Sequence, residues 1–336
     1  MPADFGYINA RVRGLKAQLL APEFYTDALG ASDFRAFLNA LSQTPYGREL
    51  EEAQARYGGG LGAVDEALGR SFYSTTRTLL SVADGLPERL LKLLLLRYDL
   101  HNLKAIARAK HAEREAEDVT GALMPAGALK PAVLENIAAA PDLSAAAQAL
   151  AITGHPLGRA FSQASARYAS EGDLYAFELA LDRAYFEVLI AEAASGDFPA
   201  DFVRYVQREI DATNIRTALK VQGTGEVSAD ELFVRGGKEV RRATFESLLA
   251  GDTQALANTS FAAVAEAGGL TEAEEILRGA LESAARKLYL RDPLGVGVVL
   301  HYLRLRETEA AKLRLLARGK FYGVPRAQLE QELGSA

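Results

Sequence analysis

Long segments of the chain are rich in Ala, Leu, Arg, Glu and Lys and hold few runs of β-branched residues, a pattern that predicts helix nearly everywhere. The stretch RYDLHNLKAIARAK, 97 to 110, shows how polar positions sit within that pattern. At ~100° per residue, Leu95, Leu96, Leu103 and Ile106 fall within about 60° of Asp99, and so does Asn102. An acid and an amide therefore lie inside the apolar stripe, while Lys104 points away from it. Pro87 and Pro199 each follow a loop-like stretch and precede a long uninterrupted segment, as a proline in the first turn of a helix does. Loops are expected at 56–62, 121–131, 221–230 and 291–297. One stretch departs from helix: ELFVRGGKEV, 231–240, alternates like a pair of strands.

The motif recurs. Asp99, Asn102, Leu103 and Lys104 match Asp211, Asn214, Ile215 and Arg216 at an offset of 112, and Pro87 matches Pro199 at the same offset. Ala67-Leu68-Gly69-Arg70 faces Ala180-Leu181-Asp182-Arg183 at an offset of 113. A worn third copy follows in Ala280-Leu281-Glu282-Ser283, Pro293, Glu309, Lys312, Leu313 and Arg314. Downstream, LMPAGAL from Leu123 resembles LFVRGGKEV from Leu232. These matches predict three helical units, 1–119, 120–225 and 226–336. Each reads as a helix ending near a loop, a proline-started helix carrying the motif, and shorter helices after it.

A buried carboxylate and amide at i and i+3 need partners, so Asp99 with Asn102 and Asp211 with Asn214 are read as polar ties to a neighbouring helix end or loop, against the alternative of a ligand or partner contact. In the third copy the pair becomes Glu309 and Lys312, which are expected to bridge as an ion pair. A weaker echo, Asn9-Ala10-Arg11, suggests that the first helix fills the place of the motif helix at the start of the chain.

At 336 residues the chain exceeds one ordinary core, and 49% apolar residues suffice for several modest ones. No Cys is present, which excludes disulfides and thiolate metal sites. The first residues carry Asp4 and no apolar core of signal-peptide length, so secretion is not expected. The most apolar run, LLKLLLLRYDL, is broken by Lys92, Arg97 and Asp99, too early for a membrane span. A net charge of −6 speaks against nucleic acid as a partner. From Arg278 to Arg326, however, 11 bases face 4 acids. Arg304, Arg306, Arg314 and Arg318 are therefore candidates for docking an acidic protein surface, against the alternative of a solvated helix face.

Local signatures of catalysis are absent. The Gly-rich stretches RYGGGLG and VRGGKEV lack the spacing of a phosphate loop, and GVGVVL is too short for a dinucleotide fingerprint. His101, His111, His155 and His301 are scattered and read as surface or polar-core residues. No catalytic residue, metal site or cofactor is assigned.

Five stretches, 7–20, 33–50, 93–110, 209–223 and 292–330, together resemble the C subunit of the bacterial and archaeal A/V-type ATP synthases, the counterpart of the d subunit in eukaryotic vacuolar ATPases. The resemblance implies an all-α funnel of three similar helical domains around a pseudo-threefold axis, with a central cavity. It further implies a non-enzymatic connector on the cytoplasmic face of the membrane, a peripheral member of the complex held there through protein contacts. Its expected partners are the central shaft and the membrane rotor ring, and no homo-oligomer is required. Torque would pass through it for ATP-coupled transport of protons or sodium ions. The competing readings are a helical-repeat adaptor that scaffolds soluble proteins and a helical enzyme whose site leaves no local trace.

Overall fold

The structure, a computed structural model, describes residues 5–116, 119, 123–195, 198–222 and 228–335. These residues are helical or loop, with no strand among them. Two compact units result: residues 1–181 with 302–336, and residues 182–301. The unit boundaries expected from the repeat, at 119/120 and 225/226, fall on or beside residues outside the described ones. No helix of the described residues is long and apolar enough to cross a membrane.

In the first unit α1 (Gly6–Lys16) is followed by three short helices, α2 (Pro22–Gly30), α3 (Phe34–Ser42) and α4 (Gly47–Tyr57). Two long ones follow, α5 (Leu61–Ser81) and α6 (Gly85–His111), the second carrying Asp99. A second trio repeats the first: α7 (Pro131–Ala139), α8 (Leu143–Ala151) and α9 (Gly158–Glu171). The likeness extends to the caps. Pro22 and Pro131 open α2 and α7, where the missing N–H has no intrahelical acceptor to lose. Asp33 and Asp142 cap α3 and α8, each accepting from the N–H three residues on at 2.8 Å.

Helix α10 (Leu174–Ala193) spans the division at 181/182 and leads into α11 (Ala200–Val221), the second motif helix. Pro199 stands one residue before α11, whereas Pro87 lies inside the first turn of α6. In the second unit the short helices are α12 (Ala229–Leu232) and α13 (Arg242–Leu249), then two 3₁₀ turns, Thr253–Leu256 and Ala262–Glu266. Asp252 caps the first of these turns by accepting from Gln254 N–H. Helix α11 packs against α13 and against α14 (Leu270–Arg291). Helix α15 (Gly297–Phe321) enters the first unit from Tyr302 onward, and α16 (Arg326–Ser335) follows it.

The first unit draws its core from both ends of the chain. Phe37, Leu41, Leu50 and Val64 are buried in one cluster with Leu313, Leu316 and Ala317 of α15 and Leu329 of α16. Each such leucine or phenylalanine contributes about 1.5–3 kcal/mol by leaving water, so the last two helices are integral to the unit.

The strand pair expected at 231–240 does not form. Its first residues join the short helix Ala229–Leu232, and the N–H groups of Val234, Lys238, Glu239 and Val240 are directed to side chains of α11 instead of a strand ladder.

Candidate functional site

Asp99 and Asn102 lie on the buried face of α6, both fully enclosed. Asn102 closes a two-way bond with a single backbone residue: its Nδ2 donates to Met124 O at 2.6 Å and its Oδ1 accepts from Met124 N–H at 2.7 Å. Four residues on, the Asp99 carboxylate accepts from Ala128 N–H at 2.7 Å and Leu129 N–H at 3.1 Å. Its third contact is His155 Nε2, at 3.1 Å. Because Leu157 N–H donates to His155 Nδ1, that nitrogen needs its lone pair, and the ring proton on Nε2 points to the carboxylate. Gly127 makes room for the carboxylate, since a Cβ there would come within 2.1 Å of Asp99 Oδ1.

The second motif repeats the device on α11. Asn214 bonds both ways with Val234, at 2.8 and 2.9 Å. Asp211 accepts from the N–H groups of Lys238, Glu239 and Val240, at 3.1, 2.9 and 2.9 Å. Gly237 takes the place of Gly127, with a Cβ again 2.1 Å from Asp211 Oδ1. Burial pushes the Asp211 carboxyl above its ordinary range, opposed by the three backbone donors.

In the third copy the tie runs from one end of the chain to the other. Glu309 on α15 accepts from Leu20 N–H at 2.6 Å, in the loop between α1 and α2, and from Tyr46 Oη–H at 2.7 Å. Arg306 Nη1 donates to it at 2.9 Å. One expectation changes here. Glu309 pairs with Arg306 instead of Lys312, whose ammonium lies 5.8 Å from the Tyr25 ring centroid. The reason is burial: Arg306 is 7% exposed and needs the anion more than a lysine that can reach an aromatic face. Burial, against the opposing charge of Arg306 and aided by Glu309, holds the Tyr46 phenol well above its ordinary value, so it donates as a neutral hydroxyl.

The four arginines proposed from sequence are engaged within the chain. Arg304 pairs with Glu307 at 2.9 Å. Arg306 also donates to Tyr46 and to Ser71. Arg314 and Arg318 share Asp65, at 3.1 and 3.4 Å. Of the four, Arg318 alone keeps a side chain more than half exposed.

Sequence reasoning left out the turn that precedes His155 and Tyr46, which are bonded to Asp99 and Glu309, and that recurs before Phe261. Thr44, Thr153 and Thr259 each bond the carbonyl three residues back and accept from the N–H two residues on, that of Tyr46, His155 and Phe261. The signal was present: Asp33 and Thr44 recur as Asp142 and Thr153 at a common offset of 109.

Comparison with known proteins covers nearly the whole chain. The family described as ATP synthase (C/AC39) subunit matches residues 8–332. The C subunit of the V-type ATP synthase of Thermus thermophilus is 42% identical over 337 residues, 99% of either chain. Its counterpart of the same name from Deinococcus radiodurans is 38% identical over 333 residues, 99% of this chain and 92% of the relative. The C subunit of the A-type ATP synthase of Haloferax volcanii is 24% identical over 341 residues, 97% of this chain and 96% of the relative.

Proposed function

The chain belongs to the ATP synthase (C/AC39) subunit family, and from that premise we propose that it is the rotor connector of a V/A-type rotary complex. The C subunit of such a complex is a structural and not a catalytic member of it. In this reading it is a socket that receives the foot of the central shaft, rests on the membrane rotor ring at the cytoplasmic face, and passes torque between them. Three units, 1–119, 120–225 and 226–336, form the funnel around the shaft.

A torque-bearing part must resist local opening, and the observation that supports this role is the recurrent buried tie. Each long motif helix grips a loop through a fully bonded carboxylate, and the last of them grips a loop 289 residues away. The bond from α15 to the loop after α1 ties two segments far apart in sequence and opposes their local opening. The six motif residues, Asp99, Asn102, Asp211, Asn214, Glu309 and Lys312, are accordingly assigned to holding the part rigid. Among the arginines of α15, the exposed head of Arg318 is the one placed to add to docking, whereas Arg306 serves the interior.

The test is recovery of the tagged chain from gently solubilised native membranes, with its companions identified by mass spectrometry. Stoichiometric shaft and ring subunits are expected. Recovery of the chain alone, with the ATP synthase intact in the same extract, would overturn the connector reading in favour of an adaptor.

A further inference from the structure

Three residues before each motif carboxylate stand Leu96, Arg208 and Arg306. Leu96 is buried, so the device itself does not demand a cation at this position. Arg306 turns both Nη atoms to Glu309, Tyr46 and Ser71 inside the fold, although its Nε is buried without an acceptor. Arg208 has no such partners for its Nη atoms. Its guanidinium lies 5.1 Å from the Phe261 ring centroid, its Nε is buried without an acceptor, and it makes no hydrogen bond or ion pair among the described residues. Two differences account for this. Phe261 lacks the hydroxyl that Tyr46 offers Arg306, and Asp211, one methylene shorter than Glu309, is engaged by three N–H groups. A partly buried guanidinium without an anion is costly, and a carboxylate matches its planar fork of donors.

The loop bonded to Asp211 adds charge beside it. Arg235, Lys238 and Arg241 are exposed, and their side chains form no hydrogen bond or ion pair among the described residues. The corresponding loop of the first motif carries Pro125, Ala128 and Lys130. Two of the local acids are occupied: Glu239 accepts from Ser260 N–H and Oγ–H, and Asp230 is held by Arg242. The described residues between 228 and 266 expose no large apolar side chain, so nothing here would enter a lipid layer.

We propose that this face of the 182–301 unit, Arg208 with the basic loop beside it, docks an acidic segment of a partner protein, one carboxylate of which pairs with Arg208 over Phe261. The proposal rests on the connector reading only in taking that partner from the same complex. The planar contact over an aromatic ring selects a side-chain carboxylate, and the loop cations supply long-range attraction.

The full chain is added back to its own ATP synthase complex stripped of this component, and binding is measured at about 50 and about 300 mM salt. Arg208→Leu installs the residue that the first motif already accommodates, and its melting curve should match the wild type. It is expected to bind about 10–100-fold more weakly. A second variant, Arg235→Ser with Lys238→Ser and Arg241→Ser, should lose most of the salt dependence. Equal affinity of both variants and the wild type would overturn this inference and leave the connector standing. Failure of the wild type to bind, with capture by anionic phospholipid vesicles instead, would overturn both.

Discussion

The ties at Asp99 and Asp211 solve one problem with different atoms. Both carboxylates are buried on a long helix, both sit beside a glycine, and both are flanked by an asparagine bonded both ways to one backbone residue. Asp99 collects two backbone N–H groups and the His155 ring, whereas Asp211 collects three backbone N–H groups. Glu309 collects one N–H, the Tyr46 phenol and the Arg306 guanidinium, with the Tyr25 phenol as a further donor. What recurs is therefore the demand of a buried anion for about three strong donors, and each copy meets it with whatever its surroundings supply.

The sharpest way to break the comparison is to fill the glycine. A Cβ at Gly127 would overlap the whole Asp99 carboxylate, with both oxygens and Cγ within 2.3 Å, while at Gly237 it meets chiefly Oδ1 of Asp211. Gly127→Ala is expected to cost about 4 kcal/mol and Gly237→Ala about 2–3 kcal/mol, read from denaturant unfolding. Equal losses would mean that the two sites yield in the same way.

Removing the anion comes next. Asp211→Ala strands three N–H groups and Asp99→Ala two with a ring donor that can turn aside, so about 3 and about 2 kcal/mol are expected. Hydrogen exchange of the Val240 and Leu129 amides locates the loss. If protection at Val240 survives Asp211→Ala, its N–H has found another acceptor and the tie is not what holds that loop.

His155→Phe installs the side chain that follows the corresponding turn of the second unit, Phe261, without the third backbone donor. A loss of about 1–2 kcal/mol is expected, the worth of one hydrogen bond to a charged group. No loss would place the ring in a packing role.

The smallest effect is one of pH and has opposite signs at two carboxylates. Asp211 is held above its ordinary range in the folded chain by burial, so its folded form binds a proton more readily than its unfolded form. The wild-type advantage over Asp211→Asn should grow as pH falls from neutral toward about 4. Glu178 is held low, burial being outweighed by Arg108 and Lys104. Its contribution is present above the unfolded carboxylate value and should fade as pH drops below about 4, so the advantage over Glu178→Gln shrinks. Parallel trends for the two pairs in acid would contradict the assignment.

Much of this was legible along the chain. Helix throughout, the loops flanking the long helices, and Asp99 and Asn102 inside an apolar stripe follow from periodicity, which is a local property. The strand pair at 231–240 was misread because alternation records which side chains face inward, not where the backbone N–H groups go. Those groups were claimed by Asp211 and Asn214, 20 to 29 residues earlier. Arg306 looked like part of a basic surface because a helical stretch of bases shows no sign of which one turns inward.

The sequence alone determined the class of fold, the repeated Asp-x-x-Asn device and the family, since each rests on residue types at short spacings or on similarity along the whole chain. Tertiary structure alone decided the third donor of each carboxylate and the bond from Glu309 to Leu20. A buried charge selects its partners by distance after the helices have packed, and residues 289 positions apart carry no mark of meeting until they do.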